Sequence, residues 1–171
     1  MCGLAGILSP TPSMEAAPLQ ALAGRMGDAL LHRGPDDRGV WVDETAGIAL
    51  AHRRLSILDL SPLGHQPMTS SDGRYVIAYN GEVYNFAALR AELEPLGHAF
   101  RGHSDTEVLL AAFLQWGLED TLQRCNGMFA IALWDRSERC LWLARDRVGK
   151  KPLYYGWAGG TLVFGSELKA L

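Results

Sequence analysis

Cys2 is the residue with the most chemistry to offer. A small side chain after Met1 lets the initiator methionine be trimmed, which puts a thiol and a free α-amine on one residue. Such an amine titrates at about 7.7–8.0 in its reference state, so near neutral pH it can serve as the base that activates its own thiol. The plainer alternative is a cysteine that begins a strand and keeps Met1. A thiolate attacking a carbonyl carbon also needs donors for the oxyanion, charges that orient the substrate and a sheltered pocket. Asn80-Gly81 could supply two donors, an amide side chain and an N–H that glycine leaves open to close approach. The same dipeptide is also a frequent hairpin turn. Arg54, in His52-Arg53-Arg54-Leu55-Ser56-Ile57, could grip a carboxylate with its forked guanidinium, but Arg53 stands beside it and charge alone does not choose between them. Asp105 opens a helix, where the dipole favours a carboxylate with or without a ligand.

The elements that must position these residues follow from hydrophobic spacing. Gly3–Leu8 reads as a short strand, and Leu19, Leu22, Met26 and Leu30 mark an amphipathic helix over roughly residues 14–30. After a turn-rich His32–Asp37 loop, Gly39–Val42 and Ile48–His52 read as paired strands. Ser61–Gly73 reads as a loop, and Arg74–Tyr79 as a strand leading into Asn80-Gly81. A helix follows Asn85. Ser104-Asp105-Thr106-Glu107 forms a capping box that opens another helix, expected to end at Gly117. Met128–Trp134, Cys140–Ala144, Leu153–Gly156 and Leu162–Phe164 are apolar runs expected to be strands buried on both faces. Together they predict two stacked sheets with helices outside.

At 171 residues the chain fits one domain with a substantial core. Hydrophobic content of 48% and charge content of 20% are those of a globular protein. A net charge of −3 and a pI near 5.9 give no reason to expect a nucleic-acid or anionic-membrane partner. Cys2, Cys125 and Cys140 are odd in number and share no short spacing, which argues against disulfides or zinc and for a reducing cytoplasm. No apolar run approaches the roughly 20 residues of a membrane span, and no signal peptide is visible. The five histidines are scattered and read as structural, with His52 the one near the proposed site. Glu167–Leu171 reads as the opening of a helix, which suggests a fragment.

Six segments in order carry a resemblance: Cys2-Gly3-Leu4-Ala5-Gly6, His32-Arg33-Gly34-Pro35-Asp36, Arg54-Leu55-Ser56-Ile57, Asn80-Gly81-Glu82-Val83-Tyr84-Asn85, Ser104-Asp105-Thr106-Glu107 and Arg145–Leu153. The chain resembles the class II glutamine amidotransferases along its whole length, in the branch of the glutaminase domains of glutamine-hydrolysing asparagine synthetases. The resemblance implies an α+β fold, a four-layer αββα sandwich of the N-terminal-nucleophile hydrolase type. It implies that Cys2 attacks the side-chain amide of L-glutamine and that Asn80 and the Gly81 amide hold the oxyanion. Arg54 would bind the α-carboxylate. Asp105 would pair with the α-ammonium, helped by Leu55, Ser56, Ile57, Leu58 and Glu82. No metal or cofactor is implied for this domain. ATP and magnesium would belong to a C-terminal synthetase domain that is absent from these residues and would receive the ammonia, and the family pattern allows a homodimer. The competing expectations are an ammonia donor for another carboxylate, such as a surface-polysaccharide sugar acid, and a non-catalytic interaction module of the same fold.

Overall fold

The computed structural model describes residues 1–11, 14–57 and 59–171. Two antiparallel sheets form its centre. The first has five strands in the order β2 (Asp37–Asp43), β3 (Ile48–Arg54), β1 (Gly3–Leu8), β9 (Thr161–Gly165) and β8 (Tyr154–Ala158). The second has four, in the order β4 (Met68–Thr69), β5 (Tyr75–Val83), β6 (Gly127–Asp135) and β7 (Cys140–Arg145).

Side chains alternate across each strand, so one residue in two faces the opposite sheet and the next faces outward. Leu4, Leu50, Val76, Ala78, Ala130, Ala132, Trp134 and Phe164 form the core between the sheets. Ala5, Ile7, Ala49 and Ala51 face out and pack on Leu19, Ala23 and Met26 of helix α1 (Ala16–Asp28). On the far side, Ile77, Tyr79, Ile131 and Leu133 pack on α2 (Phe86–Leu93) and α3 (Asp105–Arg124). The result is helix, sheet, sheet, helix. Central strands covered on both faces must be apolar at every position, which explains the unbroken runs without any parallel βαβ unit.

The structure departs from the sequence reading at three places, and agrees with it at the end of the capped helix. β3 runs on to Arg54 and β5 on to Val83, so Asn80-Gly81 lies inside a strand and forms no turn. Helix α3 breaks at Gly117, as its sequence pattern predicts: that residue leaves helical geometry (φ 75°, ψ 177°), and a second helical segment continues to Arg124 with Leu118 and Leu122 packed on the outer core. Of the last four strands, β6 is buried along most of its length. β7 and β8 are sheet edges, with Tyr155 70% and Trp157 67% exposed. In the capping box, Ser104 Oγ accepts the Glu107 N–H at 3.4 Å, but the Glu107 carboxylate takes the N–H groups of Arg101 (2.8 Å) and Gly102 (2.9 Å) instead of reaching back to its cap. Cys2, Cys125 and Cys140 are all unpaired. Among the described residues no helix is long and apolar enough to cross a membrane.

Candidate active site

The parity that builds the inter-sheet core also builds a pocket where that core ends. Leu4, Leu50 and Ala78 face inward. Cys2, Arg54 and Asn80 lie an even number of residues beyond them on the same three strands, so they project to the same side. All three line one pocket of about 110 Å³, together with Gly81, Glu82 and Asp105. Arg53, one residue out of phase, turns to the opposite face. Its Nε donates to Gly27 O at 3.3 Å, and its guanidinium pairs with Asp28 at the end of α1. Of the two arginines, strand register brings only Arg54 to the pocket.

Cys2 sits at the edge of β1 with Met1 55% exposed beside it. The Leu55 N–H donates to Cys2 Sγ at 3.3 Å. The Cys2 carbonyl accepts Arg33 Nε at 2.9 Å, and Arg33 is itself held by Glu167 at 2.8 Å. The backbone that carries the thiol is therefore tied down from a second direction. The other cysteines are poorer candidates. Burial, reinforced by the nearby Asp105 charge, pushes the Cys125 thiol up to about 11, so it stays protonated near neutral pH. Cys140 lies on edge strand β7.

Two donors face the pocket without acceptors among the described residues. Asn80 is 1% exposed, yet its Nδ2 has no partner. A buried amide donor left unpaired costs about 1–3 kcal/mol, a cost that a ligand oxygen accepting the bond would remove. The second donor follows from the ladder. In an antiparallel strand a residue's N–H and C=O point to one side, and the side alternates along the chain. Tyr79 N–H goes to Gln66 Oε1 (2.7 Å) and Val83 N–H to Asp105 Oδ2 (2.9 Å), both away from β6. Gly81 lies between them in phase, so its N–H points the same way. β4 pairs only with Val76 and Ile77, which leaves this stretch of β5 open.

Gly81 has no room for a side chain. A Cβ there would lie 2.4 Å from Met128 O and 2.8 Å from Phe129 Cα on the adjoining strand. We expect Gly81→Ala to displace β6, at a cost of about 1–3 kcal/mol or more. Thermal unfolding should show a melting temperature lower by several degrees. An unchanged melting temperature would mean that the two strands separate freely.

The charged wall is built from loops and α3. Arg54 donates from Nη1 to Ser61 O at 2.9 Å and from Nη2 to Asp59 O. Its guanidinium lies where a side chain on Gly64 would stand, 1.9 Å from the Cβ position. The Asp59 carboxylate accepts the N–H groups of Ser61 (2.8 Å) and His103 (3.0 Å), and hydrogen bonding by Ser61 and His103 lowers its pKa to about 2. Asp105 is buried and accepts the Tyr79 hydroxyl (2.7 Å) as well as Val83 N–H. Burial outweighs those bonds and raises its pKa, so a cation placed beside it would relieve a charge that the fold itself leaves uncomfortable. His52 Nε2 donates to Tyr79 O at 2.9 Å, bracing β3 against β5, and burial lowers its pKa to about 4, so it works as a neutral strut.

Leu55 and Ile57 line the pocket, with Ile57 71% exposed at its rim. Ser56 does not join them. Its N–H donates to Asp36 Oδ2 at 2.8 Å, and it faces a neighbouring depression with Asp37 and His65. Leu58 lies outside the described residues. Gln66 and Tyr79 also line the pocket, as do Thr106 of the capping box and Lys151 of the Arg145–Leu153 segment, none of them given a role from sequence. Gln66 takes the place of a longer β4, capping Tyr79 N–H and donating to Thr106 Oγ1 at 3.3 Å, a role no local pattern announces. Among the described residues no group of three or more His, Cys, Asp or Glu side chains could hold a metal ion.

Comparison with known proteins places the pocket in context. A family model described as a glutamine amidotransferase domain matches residues 1–171. The chain is 42% identical to asparagine synthetase (glutamine-hydrolysing) 3 of Bacillus subtilis, covering all of this chain and 27% of that protein. It is 40% identical to a putative asparagine synthetase (glutamine-hydrolysing) of Mycobacterium tuberculosis, covering all of this chain and 28% of that one. The chain therefore spans about a quarter of the length of these relatives. Its fold matches glutamine phosphoribosylpyrophosphate amidotransferase from B. subtilis with a TM-score of 0.81 at 22% identity, over 99% of this chain and 42% of that one.

Proposed function

The chain belongs to the glutamine amidotransferase domain family, and from that premise we propose that it hydrolyses glutamine to glutamate and ammonia through a thioester on Cys2. The observation that carries this reading is the pairing, in one pocket, of a thiol at the chain start with the buried, unpartnered Asn80 amide.

In the proposed sequence Met1 is removed and the α-amine of Cys2 takes the thiol proton. Sulfur attacks the glutamine side-chain carbonyl, an S–C bond forms, and the oxygen becomes an oxyanion held by Asn80 Nδ2 and Gly81 N–H. The tetrahedral adduct collapses with cleavage of C–N, the proton passes from the amine to the leaving nitrogen, and ammonia departs. Water then attacks the thioester with the amine again as base, C–S breaks, and glutamate leaves. Arg54 faces the α-carboxylate and Asp105 the α-ammonium, with Glu82 and the Leu55–Ile57 backbone completing the enclosure.

In the whole protein, the ammonia would pass to an asparagine-synthetase-type reaction converting aspartate to asparagine, with ATP and magnesium bound by the remainder of the chain. A cytoplasmic setting belongs to this reading. Two assays test it: glutamate release from glutamine, and asparagine formation dependent on glutamine, aspartate and ATP. Glutamate release without asparagine would retain the glutaminase and exclude the acceptor.

The arginine pair provides an internal control. Arg54→Ala and Asp105→Ala should raise KM for glutamine by about 10–100-fold, the scale of a lost charged hydrogen bond. Arg53→Ala should leave KM nearly unchanged and instead weaken the attachment of α1. Steady-state kinetics on the three variants decides, and equal KM changes for the two arginine variants would contradict the placement.

A further inference from the structure

Lys151 is a buried cation that the reaction above does not use. It is 6% exposed and lines the same pocket as Cys2 and Asn80. Among the described residues its ammonium has no carboxylate within ion-pair distance and no hydrogen-bond acceptor, whereas Arg54 is occupied by two carbonyl oxygens. The aliphatic stem of Lys151 carries the burial, while its ammonium is not one of the sealed, unpartnered polar atoms of the core as Asn80 Nδ2 is.

Its position is set by a turn built around Asp146. The Asp146 carboxylate accepts Lys150 N–H (2.9 Å), Lys151 N–H (3.0 Å) and Phe129 N–H (3.2 Å). Burial opposes ionisation there, but these amides outweigh it and lower the pKa, so the turn is anchored on a carboxylate. Asp146 N–H also donates to Phe129 O at 2.8 Å, so both backbone groups of Phe129 are committed to this turn. Phe129 is the register partner of Gly81 across β5 and β6, and Met128, the residue before it, shares the pocket wall with Lys151. Lys151 is therefore lashed to the strand that backs Gly81. The partner strand β5 carries Asn80 and Gly81, the proposed oxyanion donors, whereas Arg54 ends β3 on the other sheet.

We propose that Lys151 is a further catalytic residue, whose ammonium stabilises the negative charge that develops on the substrate carbonyl oxygen beside Asn80 and Gly81. The inference rests on the glutaminase reading. No proton is transferred: the attraction of the ammonium strengthens as the carbonyl becomes tetrahedral, which raises kcat more than it tightens ground-state binding.

The test compares Lys151→Met, similar in length but neutral, with Lys151→Arg, which keeps the charge, in the full-length protein. Lys151→Gln replaces the Met variant if thermal unfolding shows that the latter does not fold. Two quantities are read. One is steady-state glutamine hydrolysis. The other is the inhibition constant of glutamate γ-semialdehyde, which adds the Cys2 thiol to give a tetrahedral adduct. The neutral variant should lose about 100-fold in kcat with KM within about threefold of the parent, and the aldehyde should bind weaker by a similar factor. Lys151→Arg should recover most of the loss. Unchanged kcat in the neutral variant would overturn the inference, as would a raised KM with kcat preserved. Equal loss in the Arg and neutral variants would also overturn it, because shape and not charge would then be at work. A parent protein that releases no glutamate would instead overturn the glutaminase reading itself.

Discussion

Cys2→Ala should abolish glutamine hydrolysis while the protein unfolds at nearly its normal temperature. Among the described residues the sulfur hydrogen-bonds to the Leu55 backbone at the partly exposed start of β1, so its removal strands no charge. The catalytic loss is of another order, since removal of a covalent nucleophile in a hydrolase costs roughly 10⁶-fold in kcat. Cys2→Ser should also be badly impaired, because a hydroxyl is far less ionised and less nucleophilic than a thiol at neutral pH. Glutamate release by the Ala variant at more than a few per cent of the parent rate would place the nucleophile elsewhere. The remaining cysteines offer little alternative, with Cys125 kept protonated by burial.

The second large effect is expected at Asn80. Its amide is buried, unpartnered and on the pocket wall, which is where a donor must wait if it is to meet charge that exists only in the transition state. Asn80→Ala should lower kcat by about 100- to 1,000-fold, or about 2.7–4 kcal/mol, with little change in KM. The variant should be no less stable than the parent, and even slightly more so, because an unsatisfied buried donor is removed with the side chain. Kinetics and thermal unfolding on the same preparation read both quantities. A raised KM with kcat intact would make Asn80 a ground-state binding residue, and a marked loss of stability would show that its amide is already satisfied in the free protein.

Much of this architecture could be read from the sequence because its central strands are unbroken apolar runs, and a strand sandwiched between a helix layer and another sheet has no polar face to hide. The runs at Met128–Trp134 and Ile48–His52 were legible for that reason. Their ends were not. Nothing in Arg53-Arg54 distinguishes a strand terminus from a loop, yet two further residues of strand decide which guanidinium faces the pocket. Asn80-Gly81 has the local chemistry of a turn, and only its pairing with Phe129 and Ala130 keeps it extended. The edge strands β7 and β8 have nearly the composition of buried strands, because exposure depends on position in the sheet and not on residue type. Gln66 had no readable pattern, and Lys151 stood in the Arg145–Leu153 segment without a role attached to it. Each acts through a contact with a distant segment, Gln66 with Tyr79 and Lys151 with the Asp146 turn beside Phe129. Ser56 looked equivalent to its neighbours in the Arg54–Leu58 segment, but an extended backbone alternates its groups and sends the Ser56 amide to Asp36.

The central claim is that the working chain begins at Cys2 and carries the substrate on that sulfur. Tandem mass spectrometry of the protein, acid-quenched during turnover of glutamine, addresses both halves at once. The account predicts an N-terminal peptide that lacks Met1 and bears a γ-glutamyl group on Cys2. A protein that turns over with Met1 still attached, or an adduct found on Cys125 or Cys140, would contradict it.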